Sequence, residues 1–235
     1  MSPYEIAMLV CGIVLFVVLL VLLVYCVITH RPYKALLAIF PIAIIMIGFP
    51  AIKSFKIAGA EVDLKETLAL VGRNPGDKGA QQRLGQALAK MERLVTTNNS
   101  TAVVAEQIAR GNEVLGRMDQ AYDWAGAALH KSPDSKTAKE LYSRLEIQRL
   151  TPANLSRPLT RQANFELTAA VGRFNQQPDL EAESHVALSR AQLALGQTNE
   201  AVANLHSAIK GNTNLAADPR VLILMEHVPG RGITP

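Results

Sequence analysis

AVVAEQIARGNEVLGRMDQAYDWAGAALHKSPDS, residues 102–135, and AESHVALSRAQLALGQTNEAVANLHSAIKGNTNL, residues 182–215, carry the same punctuation 80 positions apart. Leu115-Gly116, Ala121 and Ala128-Leu129 in the first return as Leu195-Gly196, Ala201 and Ala208-Ile209 in the second. The spacing has a packing reason. A glycine ends one helix in a tight turn, and small alanines on the next let two helices approach closely. Each segment therefore reads as a helix A, a turn and a helix B.

A helical period also governs the rest of the chain beyond Asp63. Leu84, Leu88, Met91 and Val95 share one face of a helix expected from about Asp77 to Thr96. Ala138, Leu141, Tyr142 and Leu145 mark another face, and Leu167, Ala170, Val171 and Phe174 a third. Between them lie residues that cap, stop or turn a chain, such as Asn74-Pro75-Gly76-Asp77, Ser132-Pro133-Asp134 and Gln177-Pro178-Asp179. Asp218-Pro219 opens a last helix, with aspartate as N-cap and proline at the first helical position. Its apolar side, Val221, Leu222, Leu224 and Met225, suits the closed end of a helical stack.

On these residues the chain resembles the tetratricopeptide repeat family. Residues 102–135 and 182–215 carry the match, with Ile108 and Leu188 at the usual apolar place of helix A and Pro133 at the usual closing proline. Asn112 and Gln192 stand where the family usually has an aromatic, no tryptophan opens either repeat, and Thr213 replaces the second closing proline. A non-repeat helical bundle is the alternative. The resemblance implies stacked helices with a curved inner face, formed mainly by the A helices, that binds peptides or extended segments of other proteins. The partner-binding residues it implies are Gln107, Arg110, Asn112 and Glu113 from the first match and Ser189, Arg190 and Gln192 from the second. Trp124, the sole tryptophan, either fills the core between repeats or joins them as an exposed aromatic anchor.

The N-terminus belongs to a different solvent. Ile6 to Ile28 runs 23 positions without a charge, long enough at about 1.5 Å per residue to cross a hydrocarbon core of about 30 Å. A secretory signal fits poorly, because Met1 to Glu5 has no basic residue and the run is too long. Ala35 to Ile52, 18 residues with Pro41 inside, is expected to return as a second span, a re-entrant segment being the alternative. Arg31 and Lys34 in the turn favour a cytoplasmic turn and an extracytoplasmic remainder; Lys53, Lys56 and Lys65 pull the other way. Tyr4, Tyr25, Tyr33 and Phe55 lie near the expected span ends, where aromatic rings favour the headgroup level. From Lys53 to Leu64, Phe55, Ile57, Ala60, Val62 and Leu64 alternate roughly with polar neighbours about Gly59, which reads as a short extended segment at the membrane surface. The expected fold is all-α: a transmembrane hairpin over residues 1–52, an extended or β segment over 53–64, a TPR-like solenoid over 65–227 and a Pro/Gly tail over 228–235.

Net charge is +4 over 235 residues, but residues 1–56 hold four basic side chains against Glu5, leaving +1 for the remainder. The excess is a membrane-flank feature, and no basic stripe suits nucleic acid. Cys11 and Cys26 both fall in the first span, too far apart to pair. The five histidines are dispersed, and no metal-ligand spacing, phosphate-cradling glycine loop or nucleophile elbow occurs. No catalytic, cofactor or metal residue is assigned, and neither an enzyme nor a small-molecule site is expected. The chain reads as an integral membrane protein, of the bacterial inner membrane, whose helical repeats scaffold other proteins; a structural accessory subunit of a larger membrane complex is the alternative. Membrane lipid is its other expected partner.

Overall fold

The computed structural model describes residues 3–29, 34–74 and 76–228, and among these the fold is all-helical, without a strand. The chain divides into two compact units, Met1–Ser100 and Thr101–Pro235.

The first unit holds α1 (Pro3–Ile28), α2 (Lys34–Arg73) and α3 (Lys78–Leu94). Over Leu9–Ile28, α1 is long and apolar enough to cross a membrane, with mean hydropathy 3.3 and 11% of the stretch buried. Val14, Val21 and Ile28 on it are 57, 61 and 71% exposed, an apolar surface of the kind that marks a membrane or protein interaction site. Edge-to-face packing of Phe16 on Phe40, ring centroids 5.5 Å apart, joins α1 to α2. The second helix is 40 residues long, about 60 Å, and continues through Pro41 and Pro50 although each withholds a backbone donor.

One expectation is corrected here. Residues 53–64 are not extended but lie inside α2. The apparent alternation has no common face, since Phe55 and Val62 are 81 and 55% exposed. Ala60, Leu64 and Val71 are buried instead, at helical spacing, and they seat α3 through Ala80, Leu84, Ala87, Leu88 and Met91. Full burial of a leucine or methionine contributes about 1.5–3 kcal/mol, so this seam outweighs any local preference for extension. The compact unit that holds α2 also holds α3 and runs to Ser100. Asp77 caps α3, its Oδ1 accepting from the Gly79 and Ala80 amides at 2.8 and 3.2 Å. The turn residues Arg31 and Tyr33 and the tail 229–235 lie outside the described residues.

The second unit runs α4 (Ala102–Val114), α5 (Met118–Lys131), α6 (Lys136–Leu150), α7 (Arg161–Asn175), α8 (Ala182–Ala194), α9 (Thr198–Gly211), a 3-10 turn (Thr213–Ala217) and α10 (Pro219–Glu226). The bounds of α8 and α9 are those of α4 and α5 shifted by 80. The turns repeat as well. Gly116 and Gly196 have φ of +72° and +73°, and the amides of Arg117 and Gln197 donate to the carbonyls of Asn112 and Gln192, each at 2.8 Å. This six-to-one bond closes helix A with glycine in the left-handed region. It also explains why α5 and α9 start without a side-chain cap: the chain leaving one helix is already aimed into the next.

Burial repeats in step. Ile108 and Leu188, Ala109 and Ser189, Ala121 and Ala201, and Ala128 and Ala208 all have 0% exposure. Between the two pairs, α6 and α7 are joined by a ten-residue loop, residues 151–160. Ile147, Leu167, Val171, Phe174, Leu188 and Ala191 form their common core with α8. Thr101, Ser135 and Thr160 cap α4, α6 and α7, each accepting an amide at 3.2 Å. Asp218 caps α10 as expected, and Val221 and Leu224 close a core with Leu205, Ala208 and Leu215.

Open space surrounds both turn glycines, so the whole cost of a Cβ there is backbone strain. Gly116→Ala and Gly196→Ala are each expected to destabilise by about 1 kcal/mol, measured by urea unfolding, with Gly→Asn at either site losing less.

Candidate functional site

Arg144 on α6, 2% exposed, is the hub of a charged network between helices. Its Nη2 donates to Glu113 Oε2 on α4 at 2.8 Å. Its Nη1 donates to Glu181 Oε2 at 3.3 Å and reaches Ser184 Oγ at 3.5 Å. Arg110 on α4 clamps the same Glu181 bidentately, at 3.0 and 3.2 Å, and its Nε donates to Glu106 at 3.3 Å. Gln148 donates to the other oxygen of Glu113 at 3.0 Å.

The local reason lies at the start of α8. Glu181 occupies the N-cap position, yet its side chain makes no cap bond, because it is turned toward the two guanidinium groups. Glu140 of α6 does the capping instead. Its Oε1 accepts from the Glu181 amide at 2.5 Å and from Ser184 Oγ at 2.7 Å, placing a carboxylate where the helix dipole favours one.

Burial opposes charge on both arginines, but attraction and hydrogen bonding from Glu113 and Glu181 outweigh it and hold Arg144 above its ordinary pKa; Glu181 chiefly, with Glu106, does the same for Arg110. Burial likewise disfavours the Glu181 carboxylate. The hydrogen bonds and charge of Arg110 and Arg144 prevail and hold it below the usual carboxylate range. On α10, the Asp218 hydrogen bond raises Arg220, against burial, with help from Glu113 and Glu183.

Of the residues expected to meet a partner, Arg110 and Glu113 enter this network and keep 31 and 14% of their side-chain surface. Asn112, Ser189 and Gln192 are buried, and Trp124 takes the core place that was one of its two readings. Helix A is covered by its B partner and by its neighbours in the stack, so polar side chains on that side become core. Asn112 donates to the Ile108 carbonyl at 3.1 Å, and Gln192 accepts from Asn204 at 2.8 Å. Asn204 stands 80 residues after Trp124, so one pair fills with an indole the place the other fills with an amide. Arg190 holds the α6–α7 loop through the Pro152 and Ala153 carbonyls, both at 3.3 Å. Gln107 is half-buried. Buried polar atoms without a protein partner among the described residues include Gln107 Oε1, Gln148 Oε1, Arg144 Nε and Ser189 Oγ.

Arg144, Glu140 and Gln148 were missed by periodicity, which reads apolar positions and gave α6 only Leu141, Leu145 and their neighbours. The available signal was Glu140 and Arg144, four apart on a helix. Chemically, the network offers carboxylates already neutralised by guanidinium groups, and hydrogen-bonding atoms at its rim. The described residues contain no cluster of three or more potential metal ligands. No family model, curated protein or solved structure matches the chain.

Removing Arg144 leaves the largely covered Glu113 without its ion-pair partner, held by Gln148 alone. Arg144→Ala is expected to cost about 3 kcal/mol, read from urea unfolding of the full chain in detergent by Trp124 fluorescence, and Arg144→Met with Glu113→Gln to cost less. Because Glu181 is lowered in the folded state, the unfolded chain takes up its proton first. Its stabilisation is intact above the ordinary carboxylate range near pH 4 and is lost as pH falls through the folded value. The acid-side fall in melting temperature should therefore be shallower in Glu181→Gln than in the parent.

Proposed function

We propose that this is a membrane-anchored helical-repeat scaffold of tetratricopeptide type that organises partner proteins at the bilayer. The observation that carries the reading is the repeated A–turn–B geometry at an offset of 80 residues, on a chain that also bears a membrane-competent helix. In this reading the first half of α2, Ala35–Ile52, returns across the bilayer as the second arm of a hairpin, and the helical units lie on the extracytoplasmic face of a bacterial inner membrane.

The surface offered to a partner is narrower than the repeat pattern implies. It consists of the accessible edges of Gln107, Arg110 and Glu113, with Glu106 and Glu181 beside them, while Asn112, Trp124, Ser189 and Gln192 stabilise the stack. Mixed charge and open hydrogen-bonding atoms favour an extended polypeptide, whose backbone supplies donors and acceptors, over a compact apolar ligand. The accessory-subunit reading rests on the apolar flank of α1, which other spans of a complex would cover as readily as lipid does.

Purification in mild detergent followed by mass spectrometry separates the two. Salt-labile, substoichiometric partners are expected for the scaffold, a stable stoichiometric partner for the subunit, and a partnerless monomer counts against both. Orientation is read independently: with Cys11 and Cys26 replaced by serine, Ser207→Cys on exposed α9 should label with a membrane-impermeant maleimide from outside the inner membrane. Labelling only after lysis would reverse the topology.

A further inference from the structure

Within the first unit, an open groove of about 670 Å³ runs between α2 and the C-terminal half of α3. It is lined by Phe55, Lys56 and Gly59 on α2 and by Gln86, Lys90 and Arg93, among others, on α3. All three charged side chains in this lining are cationic. Lys90 Nζ lies 2.5 Å from Asp63 Oδ2, outside the lining, with both side chains about half exposed; Lys56 and Arg93 make no ion pair among the described residues. A Cβ built on Gly59 meets nothing within 4 Å, so the floor is open. Phe55 at its edge is 81% exposed, leaving its ring open to an apolar neighbour.

Depth along α2 says what belongs there. Because α2 is one unbroken helix, Phe55 and Gly59 lie only about 5 and 10 Å beyond Ile52, where the apolar run ends. The headgroup layer on each side of a bilayer is about 5–8 Å thick. Cations beside an exposed aromatic ring at that depth match a phosphate above an acyl chain. We propose that this groove binds the headgroup phosphate of an anionic phospholipid from the adjacent leaflet, with Lys56, Lys90 and Arg93 on the phosphate and Phe55 against the glycerol and first acyl carbons below it. The inference rests on the placement of Ala35–Ile52 in the membrane.

The test is native mass spectrometry of the full chain released from micelles carrying equal amounts of phosphatidylglycerol and phosphatidylcholine. The parent should retain phosphatidylglycerol by about tenfold over phosphatidylcholine, since each basic group at a membrane surface is worth several-fold in affinity. Lys56→Gln/Lys90→Gln/Arg93→Gln should reduce the ratio to near one, and Gly59→Phe should do so with every charge retained, by filling the groove. Lys139→Gln/Arg157→Gln/Lys210→Gln, matched in charge but placed on exposed positions of the other unit, should keep the preference. Equal retention of both lipids by the parent, or a preference that survives both groove variants, overturns the proposal, as does displacement by equimolar inorganic phosphate. Equal retention of both lipids by a parent that still requires detergent refutes the groove alone. A chain that stays soluble without detergent refutes the membrane placement with it.

Discussion

One guanidinium group, that of Arg144, ties together parts of the second unit that lie far apart in sequence. A charge that deep costs several kcal/mol to desolvate and is tolerated only with its partners in place. Those partners, Glu113 and Glu181, come from α4 and from the start of α8, while Arg144 itself is on α6. Three helices separated by long stretches of sequence must therefore be correctly docked at once. Apolar packing alone is forgiving of small shifts, because leucine and alanine faces can slide. A network with fixed donor directions is not, and it selects one stacking register from those that the apolar stripes allow.

The repeated turns work at a shorter range. Each fixes only the angle between a helix and its successor, through one left-handed glycine and one six-to-one bond. The α6–α7 connection lacks such a turn and uses a ten-residue loop held from outside by Arg190. The middle pair is thus the one whose geometry depends on side chains elsewhere, and it is also the pair that carries Arg144. Local turn chemistry orders the outer pairs, and at the centre the apolar core shared with α8 acts together with the charge network on α6.

Much of this was legible beforehand. Helix faces such as Leu167, Ala170, Val171 and Phe174, the turn glycines, and the Asp218-Pro219 start of α10 follow from period and capping chemistry, which are local. Residues 53–64 read as extended because Phe55, Ile57 and Val62 suggest alternation, whereas the decisive positions, Ala60, Leu64 and Val71, matter only once α3 lies against them. Asn112, Ser189 and Gln192 are polar, and polarity on a helix ordinarily signals solvent. Their burial depends on which neighbours cover the A helices, a tertiary fact that no window of sequence contains. Arg144 was hidden for the same reason, sitting beside Leu141 and Leu145 where a pattern of apolar residues draws the eye past it.

The unbroken course of α2 carries a consequence for how this chain tolerates changes in length. Phe40, which meets α1, and Leu64 and Val71, which seat α3, lie on one continuous helix. Adding one residue between Ile52 and Ala60 would advance the helix by about 1.5 Å and turn the α3 seat by about 100° relative to Phe40. Seven residues would return it to within about 20°. Insertions and deletions in this stretch are therefore counted in heptads, like changes of phase in a coiled coil, whereas the 151–160 loop imposes no such arithmetic.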